Sequence, residues 1–379
     1  MTTSAQKTLR LLWYGLLAFG LAAGLYGAAF MLRHGHEEAF NVTREIPWGI
    51  LISSYEYFMA ASAGLLILAN MAHVFGREDF RPLARRALVL ALFTMTAAFA
   101  IMAAEIAHPL RMVLYALISP NPASPLIWVG VCYGLYGAVL LGQLLADLTG
   151  RRELLKPLGI LALIVSVAVL TNMGAILGVA KARPLWYGPF MPLYFAVSGL
   201  VSSGALLSLA AWFGDRPGRS GRNDASLNAL GRFQGLALAA LAVLMIWKLV
   251  GGLYGAPPGK YEATLALTSG PLAVNFWFFE ILLGLVLPLG LLLGRPFRSP
   301  FSVMIAGVMV SLGVFAMRYD LIVAGQMVPV RRGADGLVNG LLQYSPSSIE
   351  IALVVGAASL CLLLYSLCLR LPKVAGRAD

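Results

Sequence analysis

Glu105, His108 and Arg111 stand at three-residue intervals in the stretch AEIAHPLRMVLYALISPNPASPLIW. An acid, an imidazole and a guanidinium gathered there could form an interfacial salt-bridge cluster solvated by lipid headgroups. They could equally hold and pass protons, with a desolvated carboxylate beside a group that titrates near neutral pH. On a helix, the spacing of Glu105 and His108 puts both on one face. Pro109 then disfavours helical geometry at His108 and ends the helix, whose dipole favours cations at that terminus.

The surroundings of these residues are apolar. The chain has 379 residues, 59% of them hydrophobic and 12% charged, with a mean hydropathy of +0.81. A soluble domain rarely exceeds half apolar, so the composition is that of an integral membrane protein. A charge inside a membrane span is costly unless it is paired or faces a cavity, so each one carries information. One edge of the membrane collects most of them: Tyr55, Glu56 and Tyr57; Glu105, His108 and Arg111; Lys181, Arg183 and Trp186; Lys248; Arg318 and Asp320; Tyr344 and Glu350. Six helix ends contribute. The opposite half has far fewer, with Glu280 near mid-depth and Asp147 at the far edge.

Runs of about twenty apolar residues, the length that crosses a bilayer as a helix, recur at 11–32, 47–73, 86–107, 124–147, 157–178, 188–212, 230–253, 270–294, 299–322 and 347–370. Spanning segments must satisfy their own backbone, so all are predicted to be helices and the fold class is all-α, polytopic. The first run lacks a small-residue cleavage site and reads as a retained helix. Eighteen of the 28 Lys and Arg fall in alternate loops, from Lys7 and Arg10 through Arg77, Arg81, Arg85 and Arg86 to Arg370, Lys373 and Arg377. The positive-inside rule then places both termini in the cytoplasm and the Glu105 stretch outside. The same rule accounts for the net charge of +11 without nucleic acid.

Cys132, Cys361 and Cys368 all lie within apolar runs and form no C-x-x-C. That excludes an iron–sulfur cradle, a zinc site or a covalent haem built from a local motif. His34 and His36 are loop residues, His73 ends the second span on the inner side, and only His108 could pair with a loop histidine at the outer face, an arrangement poor for haem. No intrinsic cofactor is expected.

The second and sixth spans echo one another: PWGILISSYEYFMAASAGLLILA against PLWYGPFMPLYFAVSGLVSSGALLSLA, each with Pro and Trp at entry, a Tyr-Phe pair and a run of small residues. Within one membrane domain, 1–379, they predict two four-helix bundles, 47–178 and 188–322, with flanking helices. Close helix contact through small residues would produce the same echo without a repeat.

Five fragments in this order resemble the polysulfide reductase membrane subunit family, NrfD/PsrC, in its ten-helix, HybB-like form. They are REIPWGILISSYEYFMAASAG at 44–64, EIAHPLRMVLYALISPNPASPLIWVG at 105–130, ARPLWYGPFMPLYFAVSG at 182–199, RYDLIVAGQMVP at 318–329 and YSPSSIE at 344–350. The resemblance implies a subunit without a prosthetic group that binds a quinone or quinol, menaquinone or ubiquinone, near the outer face of a bacterial inner membrane. It also implies a ferredoxin-like iron–sulfur partner there and a catalytic molybdenum, hydrogenase or multihaem cytochrome subunit beyond it. The family's acid maps to Glu105, its arginine to Arg111, the arginine before PLW to Arg183, and the polar residues of the second span to Ser54, Glu56 and Tyr57. His108 departs from the family, where a small residue is usual.

A quinone has an apolar tail and two carbonyl oxygens, and its reduction takes two electrons and two protons. Its site needs an opening to lipid, donors for the carbonyls and groups that exchange protons. Glu105, His108 and Glu56 are the candidate proton-exchanging groups. Tyr55, Tyr57, Ser54, Arg111, Arg183, Trp186 and Arg318 are the candidate quinone contacts. Such a protein would be one part of an oxidoreductase complex, inactive alone. Two rival readings are a secondary transporter, which ten helices and intramembrane charges would suit, and a cofactor-free anchor for peripheral redox subunits. Charges crowded at one face argue against the transporter.

Overall fold

The computed structural model describes residues 3–214, 224–294, 299–330 and 340–370. Among them, ten helices are long and apolar enough to cross a membrane. In chain order the helices are α1 (Thr3–His34), the short α2 (His36–Ala39), α3 (Ile50–His73), α4 (Arg81–Glu105), the short α5 (Pro109–Ile118), α6 (Pro125–Leu148), α7 (Arg152–Gly178), α8 (Phe190–Gly214), α9 (Asp224–Leu253), the short α10 (Lys260–Thr268), α11 (Asn275–Leu293), α12 (Pro300–Met327) and α13 (Ser348–Cys368). No strand occurs among the described residues. The ten long helices coincide with the ten apolar runs. The three short ones, which lie on connections at one end, were not expected. That end, which holds Glu105, Arg183 and Tyr344, is called the site end below.

Local chemistry sets the helix ends. Prolines stand in the first turn of α4, α5, α6 and α12, where the missing N–H breaks no bond. Ser299 caps α12 by accepting from the Ser302 N–H at 3.1 Å. Ser347 and Glu350 open α13 as a reciprocal box: Ser347 Oγ accepts from Glu350 N–H at 3.0 Å, and Glu350 Oε2 accepts from Ser347 N–H at 2.8 Å. The helix α4 stops at Glu105, where Ile106 turns extended with φ −84° and ψ 120°. Pro109 therefore acts twice, barring helix before it and starting α5 after it.

The long helices close into two rings. In one, α3, α4, α6 and α7 each pack on the next; in the other, α8, α9, α11 and α12 do the same. The rings join chiefly where α3 meets α8, the two helices whose sequences echo. Small residues permit the join: a Cβ on Gly64 would stand 2.6 Å from the Gly199 carbonyl oxygen and 2.6 Å from Ser203 Oγ. The pair α1 and α13 flanks the first ring, with α13 lying on α4.

The first part of α11, Asn275–Val286, is wound with π-type hydrogen bonds, for instance Leu287 N–H to the Leu282 carbonyl. Pro288 follows, and its missing N–H interrupts the ordinary ladder there. This wide-wound stretch carries Glu280 and touches α12 backbone to backbone: a Cβ on Gly313 would lie 2.1 Å from Gly284 Cα. Winding of this kind is rare and concentrates at functional sites.

Candidate functional site

Glu105, His108 and Arg111 are not assembled in the fold. Because α4 ends at Glu105, the three-residue spacing no longer places His108 on the same face. His108 is the exposed residue before α5, with φ −135° and ψ 70°. Arg111 is exposed on α5 and lies over the Tyr115 ring, 5.8 Å from its centroid. Glu105 is half-buried and faces the charge of Glu350. Among the described residues no hydrogen bond or ion pair joins the three. The imidazole that does reach this helix end is His36, whose Nε2 lies 2.9 Å from the Ala104 carbonyl oxygen.

Three more of the expected quinone contacts are engaged by backbone. Arg183, in the α7–α8 connection, donates to the carbonyls of Gln326 at 3.1 Å, Val328 at 3.2 Å and Glu45 at 2.6 Å. Burial lowers its pKa from the ordinary arginine value, and the Glu45 charge works the other way. Trp186 donates to the Leu321 carbonyl at 2.8 Å and stacks on Trp48 at 5.5 Å between centroids. Ser54 Oγ–H is turned back to the Ile50 carbonyl at 2.6 Å. Gln326 completes the clasp: its Oε1 accepts from Trp48 N–H at 3.1 Å, and its Nε2 donates to the Trp48 carbonyl at 2.7 Å. These contacts tie two connections, α2–α3 and α7–α8, to the end of α12. Tyr344 and Glu350 make a second tie, the phenol donating at 2.6 Å to Oε1. Burial first, and then that bond, hold the Tyr344 phenol above its ordinary range.

What the fold does bring together lies deeper. Tyr55 and Glu56 are neighbours on α3 and point about 100° apart, one to each ring. The Tyr55 hydroxyl is hydrogen-bonded to the hydroxyl of Tyr133 on α6. Glu56, 6% exposed, lies close to both phenols and to the Arg318 guanidinium. Arg318, on α12 and fully buried, donates to Ser198 Oγ at 2.7 Å and sits 3.8 Å over the Phe195 ring. Polar capacity is left over: Glu56 Oε2 and Arg318 Nε and Nη1 have no partner. Buried groups in that state call for water, a proton or a ligand. Tyr57 lies beside this cluster against Phe58 and Phe315, its ring centroid 5.4 Å and 5.7 Å from theirs.

The cluster is linked to the apolar surroundings through packed rings. Tyr133 packs edge-on against Phe99 of α4 at 5.9 Å, and Phe99 is an outward-facing residue. Phe99, Tyr133, Tyr55 and Glu56 thus run from the apolar surroundings to a buried acid.

Sequence reasoning missed Tyr133, Phe99, Ser198 and Phe195. Tyrosines at 133 and 136, in the apolar middle of α6, were the available signal: both reach α3, Tyr136 through Ser62 at 2.7 Å.

The family described as "Polysulphide reductase, NrfD" matches residues 38–330. A selenate reductase subunit of Mesobacillus selenatarsenatis is 26% identical, the alignment covering 97% of this chain and 95% of that one. The Hdr-like menaquinol oxidoreductase integral membrane subunit of Archaeoglobus fulgidus is 27% identical over 92% of this chain and 90% of its own. A polysulfide reductase chain of Wolinella succinogenes is 31% identical over a shorter stretch, 45% of this chain and 54% of that one. The family match runs through every helix that lends a side chain to the buried cluster, and the chain belongs to the polysulphide reductase NrfD family.

Proposed function

We propose that this chain is the membrane subunit of a respiratory redox complex and binds a quinone or quinol headgroup at the Tyr55–Tyr133–Glu56 cluster. The names of its relatives, reductase and menaquinol oxidoreductase membrane subunits, support the coarse reading. The observation that carries the finer one is a buried carboxylate with an unpartnered oxygen beside two bonded phenols, reached through an apolar flank. The phenols suit a quinone carbonyl, since each can donate or accept. Glu56 suits the proton, and Phe99 with its outward-facing neighbours suits the tail. Arg318 holds the charge on Glu56 in check from the other ring.

Quinone chemistry here needs two electrons, and no group that would store them is expected in this chain. They would pass to or from an iron–sulfur partner at the site end, with a molybdenum, hydrogenase or multihaem subunit behind it. Glu105 closes α4 and His108 precedes α5 at the site end, where they would serve as a second proton station rather than as headgroup contacts. The alternate basic loops set the orientation, with the site end outside the cytoplasmic membrane and both termini inside. Stretches 215–223, 295–298, 331–339 and 371–379, which carry part of that charge, lie outside the described residues.

The test is to purify the chain with its accompanying subunits and measure quinol-linked turnover for Glu56→Gln and Glu105→Gln. The expected result is a loss on the order of a hundredfold for Glu56→Gln at unchanged complex yield, the scale of general acid–base catalysis. Normal turnover in both variants would overturn the assignment.

A further inference from the structure

A second set of charges lies behind Arg318, inside the other ring. Lys248 of α9 is 3.2 Å from Glu280 Oε1 of α11 and 3.3 Å from the Tyr194 hydroxyl of α8. Asp320 of α12 accepts at 2.5 Å from the Asn275 amide through Oδ1. Glu280 and Asp320 lie on helices packed against each other, α11 and α12, and their carboxyls interact. Relative exposures are 4% for Lys248, 2% for Glu280 and 0% for Asp320.

Two observations point the same way. The first is the charge count. Glu56, Glu280 and Asp320 are three acids against two bases, Lys248 and Arg318, so the fully ionised cluster carries an excess negative charge. An uncompensated ion in the interior costs several kcal/mol, and such groups take up a proton instead. The second is atomic. Each acid of the facing pair has one oxygen satisfied, Oε1 by Lys248 and Oδ1 by Asn275. Each has one oxygen with no partner, Glu280 Oε2 and Asp320 Oδ2. Two ionised carboxylates are acceptors only and cannot bond to each other, whereas one proton between them satisfies both.

We propose that Glu280 and Asp320 bind one proton between Oε2 of the first and Oδ2 of the second, a proton-holding site in the second ring that is separate from Glu105. The neighbouring groups are accounted for. Lys248 and Tyr194 face the pair from α9 and α8, and Asn275 from the start of α11. Arg318, just before Asp320 on α12, is turned to Ser198 and Glu56. A metal cation is a poorer occupant. The Lys248 ammonium already lies at Glu280, and among the described residues no three His, Cys, Asp or Glu side chains gather as ligands. The proton site stands whether or not the site end takes a quinone.

The experiment is infrared spectroscopy of the full chain, purified with its accompanying subunits at neutral pH in sodium-free and sodium-containing buffer. A protonated carboxyl gives a C=O stretch that shifts in deuterium oxide. The wild-type-minus-variant spectrum should contain one such band for Asp320→Asn, and equally for Glu280→Gln, because either change leaves Lys248 beside a single acid that ionises; Glu56→Gln should leave the band in place, and its loss there would move the proton to Glu56 and overturn the proposal. Glu280→Gln thus serves if Asp320→Asn fails to assemble. Lys248→Met should raise the band about twofold, since a second proton replaces the lost ammonium. A difference spectrum without the band for both carboxyl variants would overturn the proposal. So would a band that appears only when sodium is withdrawn, which would assign the site to that cation.

Discussion

The Arg183 guanidinium, rooted in the α7–α8 connection, binds the main-chain carbonyl of Gln326 at the end of α12. With Val328 and Glu45 as its other acceptors, three of its five N–H donors are engaged by main-chain carbonyls. Arg183→Lys keeps the charge and loses the planar fork. The expected outcome is a destabilisation of about 2 kcal/mol, from charge-assisted bonds worth roughly 1.5–3 kcal/mol each, seen as a lower unfolding temperature of the detergent-solubilised complex. Quinone affinity should stay as in wild type. Weakened quinone binding at full stability would show the guanidinium to be a substrate contact after all.

Tyr133→Phe deletes one hydroxyl and leaves the packing against Phe99 and Tyr55 in place. Turnover should fall about tenfold, one hydrogen bond's worth at roughly 1.4 kcal/mol per decade, with normal yield. Tyr57→Phe should leave turnover alone, because its ring packs on Phe58 and Phe315 beside the path. Equal effects from the two changes would sink the route proposed from lipid to Glu56.

At the site end, Glu105→Gln should slow proton exchange less than Glu56→Gln does, since Glu105 is only half-buried. His108→Ala should cost less than about threefold, as an exposed residue outside α4. The reading to take is turnover against pH. A His108→Ala profile displaced by a full pH unit would restore the imidazole to the proton path.

Orientation is open to direct labelling. With Cys132, Cys361 and Cys368 changed to Ser, a single Cys at Lys260, the first residue of α10, should react with an impermeant thiol reagent from outside intact cells. Reaction only after permeabilisation would reverse the topology. The companion position Arg331 lies outside the described residues.

The spans were legible because bilayer thickness imposes one length and one composition on each of them. The rings were legible through the echo between α3 and α8. The short α5 was not. It presents no buried residue, and its apolar stretch after Met112 reads as the tail of a longer run. Glu105 and His108 misled because i,i+3 spacing matters only while the helix continues, and α4 ends between them. Arg183, Trp186 and Ser54 were legible as important but not as structural. Their partners are carbonyls, which carry no side-chain signature, and those of Arg183 and Trp186 lie more than a hundred positions away. Tyr133 was hidden for the opposite reason: in a greasy helix a tyrosine looks like filling until its hydroxyl is seen to meet another. Lys248, Glu280 and Asp320 stood out as charges in apolar runs, but three separate helices had to be folded before they became one group.

Tyr55 and Glu56 are consecutive, yet one belongs to each ring. A polypeptide cut in the α7–α8 connection would leave the phenols and the acid on one fragment and Arg318 on the other, so neither half would own a complete pocket. Two bundles that met only through their surfaces could be parted into independent modules. Here a single helical turn of α3 is common property of the two, and that forbids the divorce.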